Sequence, residues 1–433
     1  MFSNFAQIFH NRILYYGVQT EEGFRFISSK KETLEIKDLK ERGISFPTLA
    51  QNAEAPSLSF LNNEPWSISS IKRFLKSSRP IADPKQLFFR VQNLIKKFPH
   101  PGDEKELSVL TLIPFLSGLY SAFRTIPYFL LVGDPYSKQL LLDLLEKICF
   151  NGIRLNSPNS SLISRLIHLY GSTLIITIPH DNPGRHPFNN ILNILEESCR
   201  SSGSFYVLNE CGIPLSLPTY SLKILDAEIR SQYLKHLSIE IRIEKPSGNP
   251  SPLCLSETEE LQELRDHLHI LSLENVNSIF NIYEGMERIS GLSNQHAESL
   301  SGIFSITKHL DPFFETLSLF DNTVTWAKDL ALRLKQNQIF DNKNKHIRYL
   351  VAEFIQRFQP DMDGYYVAQD IARYINEAGD LSQKSRPEDI TRRLKHFDPH
   401  RKRDWVDVDQ EKDKKQRTKI KFDYDKLLKQ VDA

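Results

Sequence analysis

At 433 residues with 40% hydrophobic content, the chain is long enough for about three domains and apolar enough to fill real cores. Its 55 basic residues nearly cancel its 54 acidic ones, so the formal charge of +1 excludes a whole-molecule field toward nucleic acid or anionic lipid; any basic surface must be local. The four cysteines, Cys149, Cys199, Cys211 and Cys254, lie far apart without a CxxC pair, which excludes a disulfide framework and fits a reducing cytoplasm.

The start, MFSNFAQIFHNR, lacks the basic and apolar regions of a signal peptide, so secretion is not expected. Within residues 1–75 the stretches RILYYGV and GFRFIS alternate and are separated by turns, which predicts a small β-containing domain. From Asp83, DPKQLFFRVQNLIKKF has helical spacing. LSVLTLIPFLSGLYSAF then tempts a membrane reading, but Pro114, Gly118 and serines interrupt it and Arg124 follows. It falls short of the roughly 20 apolar residues of a span, so a buried helix is expected and no membrane partner.

Residues 76–245 alternate between strand-like and helix-like segments. YFLLVG, STLIITIP, SFYVLN and LSIEIRIE are apolar or alternating runs; LLLDLLEKICF and FNNILNILEESC separate them as helices. Such alternation predicts an α/β layer with a largely parallel sheet. KPSGNPSP marks a hinge, and residues 246–340 read as helical, with ETEELQELRDHLHIL, HAESLSGIFSITKHL and VTWAKDLALRLKQ as clear pieces. After FDNKNK, residues 341–433 give three short helices, then RDWVDVD and QRTKIKF as two strands joined by a charged turn. That order predicts a winged helix.

The stretch LVGDPYSKQLLLDLL has the shape of a phosphate-binding loop: strand, glycine turn, lysine, helix. In a working loop, backbone N–H groups wrap the phosphates, the lysine neutralises them, and the next Ser or Thr holds magnesium. Lys138 is present here, but Ser137 replaces the last glycine and Gln139 replaces the hydroxyl. The spacing from Gly133 to Lys138 is also one residue short. The second strand of such a site ends in two acids, one for magnesium and one for the attacking water. In STLIITIPHD, Thr177 and Ile178 stand at those positions.

Residues from about Asp83 to Asp311 resemble a family of bacterial and archaeal AAA+ ATPases related to replicative helicases and often joined to primase-like domains. The matching segments, in order, are IPYFLLVG with its loop, LLLDLLEKICFNG, NSPNSSLISRLI, STLIITIP, ILNILEESCRSSG, PTYSLKILDAEI as a pre-sensor strand, and LKHLSIEIRI. The family's late arginine motif has Leu237 at the arginine position and His236 at the aspartate. GLSNQHAESL likewise places Gln295 where an arginine is usual. The resemblance implies a P-loop NTPase-like α/β core, a helical lid over 246–340, and assembly in rings, with an intact AAA+ partner or a homo-oligomer as the partners implied.

Phosphoryl transfer depends on positioned cations, metal and an oriented nucleophile. Four such elements have changed together, so the sequence reads as a pseudo-ATPase with no obligatory cofactor, its vestigial nucleotide site formed by Gly133, Ser137, Lys138, Gln139, Thr177 and Ile178. Whether ATP still binds stays open. Across Lys384–Lys421, 14 Lys or Arg oppose 8 Asp or Glu, a balance of 14 − 8 = +6. Double-stranded DNA is therefore the expected ligand of the winged helix, through Arg392, Arg393, Lys395, Arg401, Lys402, Arg403, Lys414, Lys415, Arg417 and Lys419. The alternatives are an active helicase-like ATPase with an atypical loop and a regulator whose winged helix binds protein.

Other candidates read as structure. His180 and His186 in HDNPGRH have no third metal ligand at suitable spacing, and Asp361 and Asp363 do not continue into a calcium-binding series. His267 and His269 are two apart on a helix and point apart, and the aromatic residues of WAKDLALRL and FFETLSLF are expected in a core.

Overall fold

The computed structural model describes residues 7–20, 23–44, 66–156, 158–178, 189–208, 214–227, 232–244, 259–314 and 318–335, and short pieces at 354, 366–367, 370–374, 406–407 and 419–422. The chain divides into two compact units, Met1–Ala331 and Leu332–Ala433.

In the first unit, β1 (Gln7–His10), β2 (Ile13–Thr20), β3 (Gly23–Ser28) and β4 (Thr33–Leu34) pair in chain order as an antiparallel sheet. The Asn11–Arg12 turn between β1 and β2 has φ of 49° and 64°, the hairpin geometry whose twist matches its flanking strands. Strand alternation gathers Ile13, Tyr15, Phe26 and Leu34 into one buried cluster with Leu39 of α1 (Ile36–Glu41). RILYYGV and GFRFIS thus contribute β2 and β3, as their alternation predicts.

Then come α2 (Ile68–Lys76), α3 (Pro84–Ile95) and α4 (Glu104–Leu119). Asp83 caps α3 and Pro84 occupies its first turn, where a missing N–H costs nothing. α4 is the expected buried helix: every residue from Glu106 to Leu119 is enclosed. Its polar groups are satisfied locally, with Thr111 Oγ1 donating to Leu107 O at 2.8 Å and Ser117 Oγ to Pro114 O at 2.6 Å. No helix among the described residues is long and apolar enough to cross a membrane.

The core follows as β5 (Tyr128–Gly133), α5 (Pro135–Ile148), β6 (Gly152–Asn156), α6 (Ser160–Tyr170), β7 (Thr173–Thr177) and α7 (Asn189–Glu197). It continues through β8 (Ser204–Leu208), β9 (Pro214–Pro218), β10 (Lys223–Asp226), α8 (Gln232–Leu237) and β11 (Ser238–Ile243). Five of these strands form one parallel sheet in the order β11-β5-β10-β7-β6. Leu174, Ile175 and Ile176 are all 0% exposed, as strands covered on both faces require. On one face, Leu174 and Ile176 join residues of α6, α7 and α8 in a single cluster; α5 packs against β5, β6 and β7.

The sheet with its helices fits an α/β P-loop-like core. The loop-bearing β5 lies between β11 and β10, and β10 separates it from β7. One sequence expectation fails here. SFYVLN does not enter the parallel sheet: β8 pairs antiparallel with β9 as a separate two-stranded ribbon. The parallel edge is made instead by GIRLN, β6, whose short run beside a helix end gave no strong period.

α9 (Glu259–Glu284) and α10 (Asn294–Leu310) pack on each other and on α4, and α9 also meets α3. A further helix begins at 319 and buries Trp326, so the aromatic residue of WAKDLALRL lies in the core as anticipated. In the second unit, β12 (Tyr366–Val367), β13 (Val406–Asp407) and β14 (Lys419–Phe422) form an antiparallel sheet in the order β12-β14-β13. Val406 is opposite Phe422 and Asp407 opposite Lys421, the strand pair anticipated from RDWVDVD and QRTKIKF.

Candidate functional site

A parallel sheet gathers the ends of its strands at one edge, where open α/β folds place their ligands. Here that edge collects Gly133, Asn156, Thr177, Asp226 and Ile243, with the loop leading into α5 beside them. Gly133 has φ of 137°, and a Cβ there would stand 2.2 Å from Ile243 O. The sheet itself therefore demands glycine at this position, through the close approach of β11.

Asp134 follows as the N-cap of α5. Its Oδ2 accepts from Ser137 N at 2.9 Å and from Ser137 Oγ at 2.8 Å. Pro135 occupies the first turn and brings no N–H. The end of α5, where backbone donors and the helix dipole would welcome a phosphate, thus holds a carboxylate of its own chain. Ser137 is fully buried by this arrangement.

Lys138, only 7% exposed, ion-pairs through Nζ with Asp226 Oδ1 at the end of β10. Asp226 lies opposite Thr177 in the β10–β7 register. KILDAEI reads as a strand in the sequence without a role for Asp226; its local signal is an acid closing an apolar run, in what proves to be the central strand. Gln139 turns elsewhere: its Nε2 donates to Asp143 Oδ1 at 3.1 Å and its Oε1 accepts from Arg154 Nη2 at 2.6 Å. Arg154 also pairs with Asp143, so Gln139 belongs to a surface network joining α5 to β6.

Thr177 Oγ1 is enclosed without a hydrogen-bond partner among the described residues. Ile178 is buried with Ile176 and Ile163 in the apolar cluster, where it can neither hold a metal nor take a proton. Of the six vestigial-site residues, the structure brings Gly133, Ser137, Lys138 and Thr177 to the sheet edge and diverts Gln139 and Ile178. Among the described residues no group of three His, Cys, Asp or Glu side chains is placed to hold a metal.

At the two arginine positions of the resemblance, Leu237 is buried and Gln295 is exposed in the first turn of α10; His236 lies within α8. His180, Asp181 and His186 lie outside the described residues, as do Asp361 and Asp363. His269 is enclosed against Tyr16, Trp66 and Phe150, and burial pushes its pKa down to about 4, the behaviour of a neutral core imidazole. His267 is half-buried, with Nδ1 3.3 Å from Arg90 Nη1. Arg392, Arg393, Lys395, Arg401, Lys402, Arg403, Lys414, Lys415 and Arg417 lie outside the described residues. Lys419 opens β14, opposite Val367.

No protein-family model matches the chain, and no curated protein matches it. Among solved structures, an A-form apo structure of the NrS-1 C-terminal region is similar at 12% identity and a TM-score of 0.29, covering 96% of each chain. Another apo structure of that region matches at 14% identity and a TM-score of 0.27, over 75% of this chain and 92% of that one. JCV helicase, bound to a thiazolopyridinyl acetamide, matches at 14% identity and a TM-score of 0.25, over 60% of this chain and 70% of that one. TM-scores this low carry no argument, so the class of fold rests on the sheet and its strand order.

Proposed function

We propose that the chain is a non-hydrolysing, AAA+-like DNA-binding or scaffold subunit. One observation carries this reading: the lysine that would neutralise phosphates closes on Asp226 of its own chain, while Thr177 and Ile178 stand where the metal and water acids are needed. Phosphoryl transfer has no covalent step for a protein to supply beyond positioning and charge, so losing those groups removes the reaction and leaves the scaffold. The DNA ligand rests on the basic balance of residues 384–421 and on the winged-helix order; the replication or mobile-element setting rests on the family resemblance alone. An intact AAA+ partner or further copies of this chain would complete an assembly, and cytoplasmic residence rests on cysteine usage.

Purified full-length protein should release no phosphate from ATP with magnesium above a Lys138→Ala control. Lys138-dependent turnover would sink the reading. Duplex DNA should shift in mobility at low salt, and the triple change of Arg392, Arg393 and Arg417 to Ala should weaken binding at least about tenfold. Absence of a salt-dependent shift would favour the regulator whose winged helix binds protein. The competing reading, an active helicase-like ATPase, draws on one specific observation: Asp226 is a carboxylate beside Lys138, at the edge where magnesium would be needed.

A further inference from the structure

We infer that the loop is closed to nucleotides, and not merely unable to cleave them, because two carboxylates of the chain already occupy its phosphate-recognising groups. This rests on the P-loop-like reading of the site and goes one step past it. Three groups at such a loop recognise phosphate: the glycine-shaped turn, the N–H donors of the helix end, and the lysine. Each is constrained internally here. Gly133 pairs with Ile243 in the β11–β5 register, where a Cβ would meet Ile243 O; the Ser137 N–H and hydroxyl are both held by Asp134, and the first helical position is Pro135, with no N–H to give. The Lys138 ammonium is buried against Asp226.

An incoming triphosphate would have to displace one carboxylate and lie beside the other. Like charges so placed repel, and the low exposure of both partners in the Lys138–Asp226 pair weakens solvent screening. Asp226 is thereby a lock on the lysine. The competing role, a magnesium ligand for bound ATP, makes the opposite prediction for its removal.

The test is equilibrium binding rather than turnover, so its outcome is separable from that of the hydrolysis assay. A fluorescent ATP analogue is titrated, with and without magnesium, against the full-length protein, Asp226→Asn, and Asp226→Asn combined with Lys138→Ala. The parent should show no saturable binding at millimolar analogue. Asp226→Asn should bind at least about tenfold more tightly than the parent, and the added Lys138→Ala should abolish that gain. Saturable binding by the parent that Asp226→Asn loses would overturn the inference and make Asp226 a metal ligand. An Asp226→Asn protein that folds, by circular dichroism, yet stays blind to the analogue would also overturn it.

Amine acylation of the unaltered protein, followed by mass spectrometry, covers the case in which the variant fails to fold. Lys138 should label slowly, at a rate that millimolar ATP and magnesium leave unchanged. Protection by nucleotide would defeat the lock.

Discussion

The two ends of β10 bury lysine charge in opposite ways. At its start, Lys223 is itself enclosed, and its Nζ donates to Thr219 O at 2.9 Å, Ser221 O at 3.0 Å and Ser221 Oγ at 3.3 Å, with the Tyr128 ring 5.9 Å away. No carboxylate among the described residues meets it, and burial pulls its pKa down to about 7. At its end, Asp226 offers a full negative charge to Lys138 from α5. The first solution serves the fold alone: neutral oxygens take the donors, and the proton is held weakly. The second lies at the edge where open sheets bind ligands, and it engages the loop's lysine internally.

The largest effect should come from breaking the pair at the strand's end. Asp226→Ala leaves Lys138 buried without its partner and should destabilise the protein by about 3–5 kcal/mol in chemical denaturation. Asp226→Asn, which keeps an acceptor but not the charge, should cost less, and equal losses would show that the charge alone holds the pair.

The start of β10 should announce itself through pH. Because the folded-state pKa of Lys223 lies below its unfolded value of 10.5, the unfolded chain binds more protons between about pH 7 and 10. Stability from this residue therefore rises with pH across that window, by up to about 1.4 kcal/mol per pH unit. Comparing unfolding at about pH 7 and 9 should show the parent gaining on Lys223→Met by up to about 3 kcal/mol. Parallel curves would mean the carbonyl cage keeps the ammonium charged.

Smaller effects sharpen the contrast at the loop. Gly133→Ala, forced into a positive φ against Ile243 O, should cost about 2 kcal/mol in thermal or chemical unfolding. Asp134→Ala should cost about 1 kcal/mol, the ordinary worth of an N-cap. A glycine change without loss would reopen a phosphate-turn role for that residue.

What the sequence made legible was local. Alternation in RILYYGV and GFRFIS located the N-terminal sheet, the uncharged run around Pro114 became the enclosed α4, and the loop's missing glycine and hydroxyl were visible by inspection. Asp226 was not, because 88 residues separate it from Lys138 and only strand order brings them together. The misplacement of SFYVLN has the same origin. An alternating run tells that a strand exists but not which neighbour it pairs with, and β8 finds its partner in β9, a few residues on.

One detail of the N-terminal sheet bears on how the polypeptide is made. Gln7 Nε2 donates to Ser117 O at 3.2 Å, Tyr16 donates to Gly118 O, and the Tyr16 ring packs against Trp66, Phe150 and His269. During synthesis these strands therefore wait, half finished, for a surface that arrives more than two hundred residues later. Nascent chains stalled before His269 emerges should remain open to protease at the front, whereas longer ones should shut.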